Sequence, residues 1–153
     1  MTKDILLKEL IIKQRKNINL ENKFQYSDFI RLLKYINSSI FDPNTCSLWN
    51  GHVIERIQKD NNEYNYINFY FKKKKVMLHR ILYINFVDNL NEGEYIKFVC
   101  ENKGKCCNIN HIKKIENSRR NERKNNNINE NLIEKNEINE INTNSEELII
   151  DFE

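Results

Sequence analysis

A chain of 153 residues with a formal net charge of +3, 31% charged and 39% apolar residues has room for one domain and a tail, and no room for a second full core. No apolar run approaches the roughly 20 residues that a bilayer span requires, and the opening MTKDILLKEL lacks the basic flank and apolar centre of a secretory leader. The sequence therefore reads as an intracellular protein of cytoplasm or nucleus with no membrane partner, in which four cysteines serve as metal ligands or free thiols in place of disulfides.

In chain order, residues 4–18 carry Ile5, Leu6, Leu10, Ile11 and Ile12, and residues 26–36 carry Phe29, Ile30, Leu33 and Ile36. This spacing predicts two helices, the second starting at Ser27 and Asp28, where a serine oxygen can accept an orphan backbone N–H. Pro43 in FDPNT marks a turn. Residues 51–78 are rich in aromatic and β-branched side chains and predict strands of a small antiparallel sheet. The turns fall at KDNNE (59–63) and at the block Lys72, Lys73, Lys74, Lys75. A helix is expected over 79–87, with Leu82, Tyr83, Phe86 and Val87 on one face. A short strand is expected over 95–99, then a loop over 100–107 containing Gly104, and a helix from about Asn108. Beyond Asn117 the composition of Asn, Glu, Lys and Ile favours a loose amphipathic helix or disorder. The expected organisation is a helical region at 1–45, a metal-bound domain at 46–125 and an acidic tail at 126–153, in the α+β class.

The spacing Cys100-x5-Cys106-x4-His111 brings two thiolates and an imidazole within reach of one Zn2+ when the loop between them reverses direction. Cys46, far upstream, completes a tetrahedron and would tie the front of the chain to its back like a staple. Cys107 competes with Cys106 for the third position, and Cys106 is preferred because adjacent cysteines rarely bind one ion together. Four buried thiols beside a core histidine are the plain alternative. Four protein ligands leave no open position for water, so such a zinc is structural.

These residues resemble the zinc-containing branch of the His-Me finger, or HNH, endonucleases, the homing type included. The resemblance runs over about 46–121 and has four parts: Cys46-Ser-Leu-Trp49-Asn-Gly51; the sheet ending in His79-Arg80 with Tyr83 and Phe86; Cys100-Glu-Asn; and Cys106-Cys-Asn108-Ile-Asn-His111-Ile. It implies a zinc-stapled ββα element in which a histidine two residues before the first loop cysteine activates water, and an asparagine on the following helix holds a divalent ion such as Mg2+. Those are the base and Lewis acid that phosphodiester hydrolysis requires. Here the base position is Phe98, which accepts no proton, and the asparagine corresponds to Asn121 if one residue is inserted, Arg120 standing at the unshifted position. The loop also departs from the family pattern, one residue longer at Lys103-Gly104-Lys105 and with Ile109 in place of proline.

The expected function is therefore a zinc-stabilised protein that binds nucleic acid, double-stranded DNA, on an inactivated nuclease scaffold. Phosphate contacts would come from Lys72, Lys73, Lys74, Lys75, His79, Arg80, Arg119, Arg120 and Arg123, with Tyr64, Tyr66 and Tyr70 facing a groove or a base. Two alternatives stand beside it: an active metal-dependent endonuclease whose base is His52, His79 or metal-bound water, and a protein-docking module with the acidic tail as its contact. The resemblance leaves a homodimer open, although no heptad pattern marks an interface. The bias toward Lys, Asn and Ile points to an A+T-rich genome, that of a virus or mobile element.

Overall fold

A computed structural model describes residues 1–57 and 63–116. The elements are α1 (Lys3–Lys13), α2 (Tyr26–Leu32), β1 (Ile54–Ile57), β2 (Glu63–Tyr66), β3 (Asn68–Phe71), β4 (Lys74–Met77), α3 (Leu78–Phe86), β5 (Glu94–Phe98), a single 3-10 turn at Ile109–His111 and β6 (Ile112–Glu116). The class is α+β, as expected, but the strands form three separate antiparallel ribbons, β1–β2, β3–β4 and β5–β6, in place of one sheet. The first two ribbons part at Ile67. This residue, expected inside one continuous strand, is fully buried and its carbonyl accepts the first N–H of α3, from Leu78, at 2.9 Å. The strand therefore breaks there.

Both N-terminal helices are shorter than their apolar spacing predicts. α1 stops at Lys13 because Gln14 turns extended and its side chain donates to the Phe24 carbonyl at 3.0 Å and to Asn85 Oδ1 at 2.9 Å. The next residue, Arg15, donates its N–H to the Asn85 carbonyl. α2 begins at Tyr26 with Gln25 as its N-cap, ahead of Ser27: the Gln25 N–H donates to Asp28 Oδ2 at 2.8 Å, and the Gln25 side chain caps in return, a reciprocal arrangement that satisfies two orphan donors. Past Leu32 the chain continues as tight turns, with Tyr35 and Ile36 both donating to the Leu32 carbonyl, so Ile36 still reaches the core. α3 matches its expected span closely, although Val87 is its exposed C-cap and Leu78, His79, Ile81 and Asn85 join the buried face.

One apolar cluster joins Leu6, Leu10, Phe24, Phe29, Leu32, Ile36 and Ile40 to Trp49, Phe69, Phe71, Leu78, Leu82 and Phe86. Phe24 stands at its centre, edge-on to Phe29, Phe69 and Phe71 at ring-centroid distances of 5.6–5.9 Å, the geometry aromatic quadrupoles favour. Residues 1–45 thus share a core with the ribbons that follow. The boundary expected near residue 125, and the tail, lie outside the described residues. Among the described residues no helix is long and apolar enough to cross a membrane.

The helix expected from Asn108 is replaced by the 3-10 turn and β6. Asn108 is fully buried; its side-chain amide donates to the carbonyls of Asp42 and Thr45, and its Oδ1 accepts the Asn110 N–H at 2.9 Å. Ile112 is then drawn into register opposite Phe98 and buried. Tertiary hydrogen bonds and a strand partner outweigh the weak helical preference of this stretch.

The metal loop rests on β2 at Gly104. Its φ is +76°, and a Cβ there would lie 2.0 Å from the Asn65 carbonyl oxygen and 2.7 Å from Asn65 Cβ, so only glycine permits both the left-handed backbone and the close approach. Gly104→Ala is expected to lower stability by about 2 to 5 kcal/mol, the sum of the αL penalty and overpacking, measured by urea unfolding of the metal-saturated protein.

Candidate metal centre

Cys46, Cys100, Cys106 and His111 offer ligand atoms that all lie within 4.8 Å of one another. Cys46 Sγ lies 3.4 Å and Cys106 Sγ 3.5 Å from His111 Nδ1. The four residues come from three places in the chain, and backbone pairing brings them together. The segment around Leu48 runs antiparallel to the segment around Cys106: the Cys107 N–H donates to the Ser47 carbonyl at 2.7 Å, and the Trp49 N–H to the Lys105 carbonyl at 2.9 Å. Cys100 lies two residues past the end of β5, and the 3-10 turn presents His111. The set is the one expected, including Cys106 over Cys107, whose side chain packs into the hydrophobic cluster.

The surroundings fit a divalent, thiophilic ion. His111 Nε2–H donates to the Pro43 carbonyl at 2.9 Å, which leaves Nδ1 free as a ligand and holds the ring in place. That bond, above all, raises the His111 pKa above the ordinary imidazole value. A hydrogen bond from the Asn102 side chain, the largest influence on Cys46, holds its thiol below the ordinary value. Burial pushes Cys100 upward and Cys106 up to about 12. Cys106 therefore keeps its proton at neutral pH unless a cation replaces it. These four groups can hold one metal ion, and four protein donors close its coordination.

The other predicted residues fall in different places. His79 is buried, and its Nε2–H donates to the Cys106 carbonyl at 2.8 Å; burial lowers its pKa to about 4 against the effect of that bond. It is a neutral strut behind Cys106, which fits the backbone-orienting and packing roles that the sequence leaves open for it and corrects its place among the phosphate contacts. Its ring meets Phe98 edge-on at 4.7 Å. Phe98 ends β5, half-buried, opposite Ile112. Arg80 is half-buried and donates to the Glu94 carbonyl at 3.0 Å.

Lys72 and Lys73 form the two-residue turn of the β3–β4 hairpin, with φ of +44° and +67°, the left-handed pair such a turn demands, usually met by Asn-Gly. All four lysines of the block are exposed, but the Lys72 ammonium donates to the Leu20 carbonyl. In β6, Lys114 is committed to Asp88 at 3.2 Å and Glu94 at 3.5 Å. His52 is exposed just ahead of β1. Arg119, Arg120, Asn121 and Arg123 lie outside the described residues.

Sequence reasoning missed the contacts that carry the loop at 41–45. Asn110 donates to the Phe41 carbonyl at 2.9 Å, Asn108 to Asp42 and Thr45, and His111 to Pro43. Polar residues within a metal-ligand motif were the available signal, since each can serve a carbonyl that turns away from regular structure.

Over 116 residues the chain is 48% identical to an uncharacterized protein of Acanthamoeba polyphaga mimivirus, a match that covers 76% of this chain and 33% of the relative. The chain therefore spans about a third of the length of the curated relative it matches. No protein family model and no solved structure matches it.

Substitution with Co2+ checks the ligand set. The sulfur-to-cobalt charge-transfer absorbance is expected to fall by about a third in Cys46→Ser or Cys106→Ser, each of which removes one of three thiolates. Cys107→Ala is expected to leave the absorbance intact while lowering stability by roughly 1 kcal/mol or more through the gap it leaves in the core.

Proposed function

We propose that this protein is a zinc-stabilised DNA-binding protein on a His-Me finger scaffold whose general base is replaced by Phe98, so that it holds duplex DNA without cutting it. The observation that carries this reading is the position of Phe98. It closes the first strand of an antiparallel pair, two residues before the ligand Cys100, and faces Ile112, the residue after the ligand His111. That is where a ββα nuclease of this kind places its base, and the aromatic ring there neither takes a proton nor orients water.

Zinc is the favoured ion because three thiolates and an imidazole in a closed tetrahedral set suit it over harder, oxygen-seeking cations. Its part is structural. Mg2+ chemistry would require Asn121 and a base. His79 is a poor substitute base, since it is buried and its Nε2 proton is engaged by the Cys106 carbonyl. The phosphate grip is assigned to Lys73, Lys74 and Lys75, exposed on the β3–β4 hairpin, together with Arg119, Arg120 and Arg123. A viral origin agrees with the viral relative.

Duplex binding is expected to weaken linearly in log–log plots against salt, and the combined Lys73→Gln, Lys74→Gln and Lys75→Gln variant to flatten the slope by about 1 for each phosphate no longer neutralised. Binding that ignores salt would remove phosphate contact as the mechanism and favour a protein-docking role. In a plasmid-nicking assay with Mg2+ or Mn2+ the protein is expected to stay at background, and Phe98→His to gain measurable nicking. Robust cleavage by the unaltered protein, abolished by Asn121→Ala, would overturn the proposal.

A further inference from the structure

The β1–β2 hairpin carries an aromatic column that the phosphate grip does not use. Tyr64 and Tyr66, two apart on β2 and so on one face, stack with ring centroids 5.7 Å apart and planes 30° from parallel. The Arg56 guanidinium, from β1, lies over the Tyr66 ring at 5.4 Å, a cation–π contact. Arg56 is also the cross-strand partner of Tyr64, which is 40% exposed. Burial raises the Tyr64 pKa above that of an ordinary phenol, Tyr66 adds to this, and the positive charge of Arg80 opposes both.

The opposite face of the hairpin is the one held down. Glu55 and Asn65 are cross-strand partners; Gly104 abuts Asn65 with no room for a Cβ, and Lys105 reaches Glu55 at 3.4 Å. Alternation along the strand therefore turns Tyr64, Tyr66 and Arg56 away from the metal loop. The result is a stacked, cation-flanked aromatic column on a ribbon whose back is fixed to the loop bearing Cys100 and Cys106. Such a column matches the π face of a base and the negative charge of its adjoining phosphate. A base inside a duplex is already stacked on both faces and presents no free one.

We infer that Tyr64, backed by Tyr66 and Arg56, is a stacking site for an unpaired nucleobase, so that the protein takes single-stranded nucleic acid or an unpaired base beside a duplex. The inference rests on the nucleic-acid-binding reading above and names its ligand more closely. The shared chemistry is an unpaired base next to a phosphate, and it does not distinguish deoxyribose from ribose.

The test uses the full chain with Zn2+ and three probes: a 12-nucleotide oligo-dT with one central 2-aminopurine, the same sequence as RNA, and the same DNA annealed into a blunt duplex. Stacking on Tyr64 is expected to change the 2-aminopurine fluorescence of the single strands on binding. Tyr64→Leu is expected to abolish that change and weaken single-strand binding roughly tenfold, while duplex affinity moves less than twofold. Tyr64→Phe, which keeps the ring, is expected to retain both signals. Loss in Tyr64→Phe equal to that in Tyr64→Leu, or no effect of Tyr64→Leu on single strands while duplex binding persists, would overturn the stacking site and leave the DNA-binding reading standing. Failure of all three probes to bind would remove both. A response from the DNA strand alone, or from the RNA strand alone, supports the site and names its source.

Discussion

The short antiparallel pairing between residues 47–49 and 105–107 is the contact on which the rest of this molecule depends. Two backbone hydrogen bonds, Cys107 to Ser47 at 2.7 Å and Trp49 to Lys105 at 2.9 Å, carry Cys46 across to the loop that holds Cys100 and Cys106. Bringing such distant segments together costs chain entropy that grows only slowly with the length of the loop closed, and two hydrogen bonds contribute a net of only about 1 kcal/mol each. A metal ion held by the four candidate ligands would stabilise the junction far more strongly, and only in the folded state. The pairing sets the geometry that such an ion would lock. Because the loop at 103–105 also supports β2 through Gly104, the same junction fixes the orientation of the β1–β2 hairpin.

A second constraint works through buried amides. Asn85 on α3 accepts from the Phe24 N–H and from Gln14, and donates to the carbonyls of Asn22 and Ile81; Asn108 serves the loop at 41–45 in the same way. Each is fully buried and makes several bonds, the condition under which a buried amide specifies structure instead of destabilising it. One joins the end of α1 to α3, and the other joins the metal turn to the segment leading into Cys46. Trp49 is the exception, since its Nε1–H is buried with no hydrogen-bond acceptor among the described residues; it lies against Tyr35, with ring centroids 4.6 Å apart, and beneath Gly51, where a Cβ would come within 2.5 Å of that nitrogen.

What the sequence makes legible follows from which forces are local. The ligand set was legible because metal coordination restricts residue type and spacing severely, and α3 was legible because its apolar face has helical period. The ends of α1 and α2 were not, since Gln14 and Asn85 stop the first through bonds between residues 71 positions apart and Gln25 opens the second with a cap that no common N-cap residue announces. β6 was missed for a related reason. Ile112 to Glu116 (IKKIE) sets its two apolar residues three apart, a helical spacing, so only the register with β5 makes it a strand, and that register is a long-range fact. The separation of β1–β2 from β3–β4 falls at Ile67, where burial and the hydrogen bond its carbonyl accepts from Leu78 interrupt a run rich in strand-forming residues.

The relation between His79, Phe98 and Cys106 bears most directly on what the scaffold does. The Nε2 proton of His79 is given to the Cys106 carbonyl and burial keeps the ring neutral to about pH 4. Turning it outward would break that bond and leave an unsatisfied carbonyl beside a metal ligand, at a cost of about 1 to 3 kcal/mol. Phe98 packs its ring against the imidazole and covers it from that side. A phenylalanine at this position therefore contributes apolar contact to the hinge between α3 and the metal loop, where a proton-accepting side chain would have to be kept solvated. On the proposed reading, the phenylalanine that stands where a nuclease base would be also seals the histidine behind it, and both effects would favour a surface that holds its ligand over one that cuts it.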